Sequence, residues 1–153
     1  MYKTILLPHG GTAAGDEALK HAIHIAKQES SKITILNVIV PWTNVFDEYS
    51  EDKDTAKSQI SSILSNMEDG VRKFLAQRVA QCVQEGLQCQ GIFRTGKPAD
   101  AIIKYANENK VDLIIMAKKK KVDDYKSFFK VGGTAKKVQE KVGCSILLVD
   151  ADN

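Results

Sequence analysis

A chain of 153 residues is long enough for one domain, 1–153, with one sizeable core. Its hydrophobic content of 43% is ordinary for a globular protein, and no apolar run approaches the ~20 residues of a membrane helix. The N-terminus opens directly on a strand-like run, with no secretory leader, so the cytoplasm is the expected location and no membrane partner is expected.

In chain order, the first apolar run, Lys3–Leu7, reads as a strand. Pro8-His9-Gly10-Gly11 follows as a turn, with Thr12 as a helix N-cap. The helix runs from about Ala13 to Glu29, with Ala14, Ala18, Leu19, Ala22, Ile23 and Ala26 on one stripe. Ile33–Ile39 is the second strand. Pro41–Asp54 is a long polar, acidic segment dotted with Trp42, Phe46 and Tyr49. It is either a surface excursion or a lid or subunit contact.

The clearest helix spans about Thr55 to Glu85. Its stripe is Ile60, Ile63, Leu64, Met67, Val71, Phe74, Leu75, Val79, Cys82 and Val83, with Gly86 at the C′ position and Gly70 as a weak point. Gln88–Thr95 is the third strand. Pro98 then opens a helix to about Glu108, with Ala99, Ile102, Ile103 and Ala106 inward. Asp112–Met116 is a fourth strand, apolar enough to be buried on both faces. After the basic run Lys118–Lys121, Gly132-Gly133-Thr134 opens a short helix, and Ser145–Val149 is the fifth strand. Alternation of strands and helices implies a doubly wound α/β fold: a mostly parallel sheet, four helices on its two faces, and a crevice at the strand C-termini. Lys3–Leu7 and Asp112–Met116, nearly free of charge, are expected at its centre.

Two of the strand-to-helix turns are rich in glycine. Such a turn leaves N–H groups unpaired at the positive end of a helix dipole and suits a phosphate or another anion. Gly132-Gly133-Thr134 is therefore either an anion nest or a simple helix start. The net charge of +3 is concentrated: nine lysines lie between Lys118 and Lys141 against Asp123, Asp124 and Glu140. Lys118–Lys121 are either point-charge phosphate ligands or a solvated loop, expected to be mobile through Phe129 when no ligand is bound. The chain lacks the aromatic–basic interleaving of single-strand binders, so a nucleic-acid partner is the least favoured use of that face. His9 is either a ligand residue at the crevice or a turn residue without chemistry. His21 and His24 have no partner at metal spacing, and no metal site is expected. Cys82, Cys89 and Cys144 form no Cys-x-x-Cys pair and read as packing residues. There is no Gly-x-Ser-x-Gly elbow, no Walker A sequence and no acid pair on a shared face, so no catalytic residue is assigned.

Four blocks in order carry a resemblance that covers essentially the whole chain. They are YKTILLPHGGTAAGDEALKHA, ITILNVIV, GKPADAIIKYANENKVDLIIMA and GGTAKKVQEKVGCSILLV. Together they resemble the universal stress protein family. The resemblance implies a five-stranded parallel sheet of order 3-2-1-4-5 and a homodimer; a non-enzymatic stress-response or regulatory role is the first expectation, with slow ATP hydrolysis left open as the alternative. One branch of that family binds ATP, through a Gly-x-x-Gly-(nine residues)-Gly-Ser/Thr motif and an Asp after strand one. By resemblance, Pro8, His9, Gly10 and Val38 fall near a base, and Met116, Ala117, Lys118, Lys120, Gly132, Gly133 and Thr134 near ribose and phosphates.

This chain departs from the pattern. The acidic position after strand one is Gly10, the first two motif glycines are Ala117 and Lys120, and eleven residues separate Lys120 from Gly132. Glycines are needed where a phosphate meets the backbone closely, and lysine changes both shape and charge there. A degenerate ATP site is expected, taking phosphate, sulfate or an altered adenine nucleotide. The alternative is a nucleotide-binding member in which lysines replace the glycine cradle. In the implied strand order Ser145–Val149 is an edge, and an unpaired apolar edge invites a second copy of the chain, which makes it the expected dimer contact.

Overall fold

The structure, a computed structural model, describes residues 1–41, 53–118 and 133–151. Five strands, β1 (Thr4–Pro8), β2 (Lys32–Ile39), β3 (Gln88–Thr95), β4 (Leu113–Lys118) and β5 (Ser145–Asp150), form one parallel sheet in the order β3-β2-β1-β4-β5. Four helices are found among the described residues: α1 (Ala13–Glu29), α2 (Lys53–Gln84), α3 (Pro98–Glu108) and α4 (Gly133–Lys141).

Side chains on a strand alternate between faces, and this sheet uses both. Ile5, Leu7, Ile33, Ile35, Leu113 and Ile115 face α1 and α2, where they meet Ala18, Leu19, Ala22, Leu75 and Cys82. The intervening Leu6, Leu36, Ile114 and Met116 face α3 and α4, where they meet Ala99, Ile102, Ala106 and Val138. The sheet is thus doubly wound, with β1 and β4 at its centre as their sequences predict. The near absence of polar residues in both strands follows from burial on two sides.

Local signals fix the helix ends. Thr12 caps α1: its Oγ1 accepts from the Gly15 N–H at 3.2 Å. Pro98 occupies the start of α3. At the end of α2, Gly86 takes φ +79°, its N–H donates to the Val83 carbonyl at 2.9 Å, and the Leu87 N–H donates to the Cys82 carbonyl at 3.1 Å. This is the paired-bond helix stop that a left-handed C′ glycine permits.

The long helix departs from the sequence reading in two respects. It begins at Lys53, before the expected Thr55, and its stripe is not uniformly inward. Ile63 is 48% exposed and Val83 is 56% exposed. The sheet ends before the helix does. Leu75 and Cys82 lie over strands and are buried, whereas Ile63 lies on the half of α2 where no described side chain is buried. A helical period reports which face a residue shares, not whether a neighbour covers it. Most of the expected Pro41–Asp54 excursion lies outside the described residues. No helix among the described residues is long and apolar enough to cross a membrane.

Candidate functional site

In a parallel sheet the crevice opens where adjacent strands send their connections to opposite faces. Here that place lies between β1 and β4. Their ladder pairs Ile5 with Leu113 and Leu6 with Ile114 and goes no further. By contrast β1 pairs with β2 up to Pro8–Leu36, and β4 with β5 up to Lys118–Asp150. Beyond Leu6 and Ile114 the two central strands are free of one another, and their C-terminal ends border the opening.

Several expected site residues are brought to this end of the sheet. Pro8 closes β1, Val38 lies near the end of β2, and Met116, Ala117 and Lys118 close β4. Met116 is buried, Val38 and Ala117 are half-buried, and Lys118 is exposed as the last residue of its strand rather than the first of a loop. Gly10 is exposed, with no atom within 4 Å of where a Cβ would lie. Gly133 is the first residue of α4, and Thr134 beside it is half-buried. The first turn of α4 carries no acidic residue and its last turn carries Lys141, so no acid of the helix's own first turn offsets its positive end. Lys120 and Gly132 lie outside the described residues, as does nearly all of the Lys118–Phe129 stretch expected to be mobile.

His9 is enclosed rather than open to the crevice. Its side chain is 0% exposed and every polar atom it has is engaged inside the protein. The backbone N–H donates to the Leu36 carbonyl at 2.9 Å, and the carbonyl accepts from Asn37 Nδ2 at 2.8 Å. On the ring, Nδ1 accepts from the Gly11 N–H at 3.0 Å, and Nε2 lies 2.9 Å from Asp16 Oδ1. An acceptor at Nδ1 fixes the neutral Nε2–H tautomer, which donates to Asp16. The ring lies against Phe74 of α2, edge to face at 4.8 Å. His9 therefore has no free polar atom for a nucleotide base. It is also not an inert turn residue, because it ties the β1 turn to α1 and α2.

Arg78 completes this cluster. Its Nε donates to Asp16 Oδ1 at 2.6 Å and its second terminal nitrogen to Oδ2 at 3.1 Å, while the guanidinium lies 5.0 Å above the Phe74 ring. Gly15 provides the room for it. A Cβ there would lie 2.5 Å from two atoms of the His9 ring. Asp16, Arg78, Gly15 and Asn37 were not singled out from sequence, and Phe74 was read only as part of the α2 stripe. Arg78 stands one turn after Phe74 on α2, but its carboxylate partner is 62 residues away and no local pattern announces it.

The electrostatics follow from burial and pairing. Burial pushes the His9 pKa below its ordinary 6.5; the hydrogen bond and charge of Asp16 oppose this, and Arg78 adds to it. Partial burial alone would raise the Asp16 carboxyl. Hydrogen bonds from Arg78 and His9, with the Arg78 charge, outweigh it and hold that group below the usual carboxylate range. Both folded-state values lie below the unfolded ones. The His9 contribution is complete above pH 6.5 and is lost as pH falls through its lowered folded value. That of Asp16 is lost only at more acid pH. Urea midpoints measured against pH should therefore begin to fall just below 6.5, above the carboxylate range, and His9→Gln should remove that limb of the curve. A wild-type profile flat down to the carboxylate range would contradict this account of His9.

The Thr12 cap distinguishes the two glycine turns. The Gly15 N–H at the head of α1 is already satisfied by Thr12 Oγ1, and His9 Nδ1 takes the Gly11 N–H. Two N–H groups of the first turn are thus satisfied within the turn itself. A separate groove of about 430 Å³ opens at the C-terminal end of β3, between Arg94–Lys97 and the Lys104–Glu108 stretch of α3. It mixes Arg94, Lys97 and Lys104 with Asp100 and Glu108, and it contains none of the expected site residues.

With the sheet order and crevice in place, comparison with known proteins decides the family. The sequence pattern of the Universal stress protein family matches residues 1–150. The chain belongs to the universal stress protein family. A universal stress protein of Methanocaldococcus jannaschii is 28% identical over 97% of this chain and 82% of its own. One of Bacillus subtilis is 24% identical over 97% of this chain and 99% of its own. Among solved structures, the universal stress protein UspA of Lactobacillus plantarum superposes with a TM-score of 0.78 at 19% identity, over 97% of each chain. A universal stress protein in complex with cAMP superposes with a TM-score of 0.69 at 16% identity, also over 97% of each chain. At these identities the structural likeness establishes the fold.

Proposed function

We propose that this chain is a non-enzymatic, regulatory universal stress protein whose crevice takes a phosphate-bearing anion and does not recognise ATP in the family's usual way. The observation that carries this reading is the end of β1. Where the resemblance expects a carboxylate to hold ribose, Gly10 offers open space, and the carboxylate nearest in sequence, Asp16, is committed to Arg78 and His9. An acid held in a bidentate arginine pair is a poor acceptor for sugar hydroxyls. The opening of α4, with Gly133 and Thr134 and no acid in its first turn, favours an anion at the other wall of the crevice. The test is to denature freshly purified protein and analyse what it releases. Phosphate or nothing fits the reading; a stoichiometric adenine nucleotide overturns it.

The second reading is an altered nucleotide site in which Lys118 and its basic neighbours replace the glycine cradle. The fold neighbour in complex with cAMP favours it, since that ligand is an adenine nucleotide with a single phosphate. The release experiment separates the two readings.

The same proposal includes a homodimer through Ser145–Val149. β5 is an edge strand, and Leu148 on it is 42% exposed while Ile146 and Leu147 are half-buried. A two-fold contact would cover this edge with a copy of itself. Light scattering at micromolar concentration should give twice the chain mass of 16.9 kDa, and a monomer would contradict the assignment.

A further inference from the structure

The sheet has a second free edge, at β3. In parallel pairing one residue turns its backbone N–H and C=O to the neighbouring strand and the next turns them away. The Gly96 N–H donates to the Ile39 carbonyl at 2.9 Å, which sets the phase for the whole strand. Gln90, Ile92 and Arg94 therefore turn their backbone groups to β2, and Cys89, Gly91, Phe93 and Thr95 turn theirs outward. No strand among the described residues pairs with that side. The Arg94 side chain agrees with this phase: its Nη1 donates to the outward Phe93 carbonyl at 2.9 Å. Beside this edge lies the groove of about 430 Å³ that α3 borders with Ala101, Lys104 and Tyr105. Its inner wall is fastened. Gln90 Nε2 of β3 donates to Thr34 Oγ1 of β2 at 3.1 Å and to the Tyr105 hydroxyl of α3 at 3.2 Å. An open strand with a helix-lined groove along it suits an extended peptide: main-chain bonds hold the peptide, and every second side chain enters the groove.

We propose that β3 accepts an extended acidic segment of a partner protein as an added strand. The charges choose the partner. Arg94 stands on the strand, Lys97 follows it, and both line the groove with Lys104. On the α2 side of the edge, the Arg72 guanidinium lies 5.0 Å above the Phe93 ring. An added strand sends alternate side chains to the two faces, so both sets meet cations. Of the nearby acids, Glu68 and Glu108 lie 4.0 Å from Arg72 and Lys104, one turn away on the same helices, and Asp100 sits in the first turn of α3. Arg94 and Lys97 form no ion pair among the described residues. On binding, Arg94 exchanges the Phe93 carbonyl for a carboxylate of the segment, a stronger, charge-assisted bond, and frees that carbonyl for the added strand. A second copy of this chain on the same edge would bring two sets of cations together, which disfavours self-pairing.

The test uses the full chain and a synthetic peptide with blocked ends in which glutamate alternates with threonine. Calorimetry should show saturable binding that weakens as salt rises, and none for the same peptide with lysine in place of glutamate. Amide exchange followed by NMR should slow at Cys89, Gly91, Phe93 and Thr95 and stay unchanged at Gln90, Ile92 and Arg94. Lys97→Glu combined with Lys104→Glu should weaken binding at least about tenfold. Thr95→Pro should also weaken it, because it removes an outward N–H and leaves the bonds to β2 in place. The exchange map needs only the unmodified protein, so it decides the matter if a variant fails to fold. Absence of binding, protection centred on α4 rather than β3, or the same β3 amides protected by a second copy without peptide would each overturn the proposal.

Discussion

Replacing Gly15 by alanine should destabilise the protein by about 2 kcal/mol or more, although the same change in most helices would help. Alanine gains roughly 0.5–1 kcal/mol over glycine in an ordinary helix interior. Here the added methyl would lie 2.5 Å from two atoms of the His9 ring. That ring cannot easily retreat. Phe74 stands at its edge, Asp16 holds Nε2 and the Gly11 N–H holds Nδ1. Overpacking at a fixed site costs about 1–3 kcal/mol, and the upper end is expected where the obstacle is fastened on three sides. In a domain of this size that loss lowers the thermal midpoint by roughly 4–8 °C. The partner is identified by combining the change with His9→Ala. If the clash is with the ring, the double variant should lose clearly less than the sum of the two single losses, as contacting residues do. An unchanged or raised midpoint for Gly15→Ala would show that the His9 ring does not occupy this position.

Writing a carboxylate into the crevice should have the opposite kind of effect, a gain of binding. Gly10→Asp places an acid after β1 where no atom lies within 4 Å of its Cβ, so the fold should accept it. A hydrogen bond to a charged group contributes roughly 1.5–3 kcal/mol. Mg-ATP should therefore bind about ten- to a hundredfold more tightly to Gly10→Asp than to the unmodified protein. The comparison is a pair of calorimetric titrations at high protein concentration, with Gly10→Asn as a control for size without charge. No gain for the aspartate would mean that the missing carboxylate is not what limits recognition.

Much of the fold was legible because its signals are local. The ends of α1 and α3 follow from Thr12 and Pro98, and the stop of α2 follows from Gly86, which adopts the left-handed backbone that the stop requires. The double burial of β1 and β4 follows from runs without charge. The candidate site was only partly legible. Pro8, Val38, Met116 and Ala117 lie toward the C-terminal end of the sheet because they sit at or near strand ends that run parallel. His9 looked the same on paper, one residue beyond a strand at the right edge. Its ring instead turns inward, for reasons that lie elsewhere in the chain: a missing side chain at Gly15, an acid on α1 and an arginine far along α2. Arg78 carries no sequence signal of its role, because its partner Asp16 lies 62 residues away. The outward Ile63 and Val83 show the same limit, since a stripe records a face and the extent of the sheet decides how much of it is covered.

The central claim is that the crevice has kept an anion-seeking wall at α4 while losing the means to select adenosine. Isothermal titration of the unmodified protein with Mg-ATP, with inorganic pyrophosphate titrated in parallel, tests it directly. The account predicts no sub-micromolar Mg-ATP binding, and any weak heat should be matched by pyrophosphate and fall with added salt. A tight isotherm for Mg-ATP that pyrophosphate does not reproduce would contradict it, because adenosine would then be recognised without the Gly10 carboxylate.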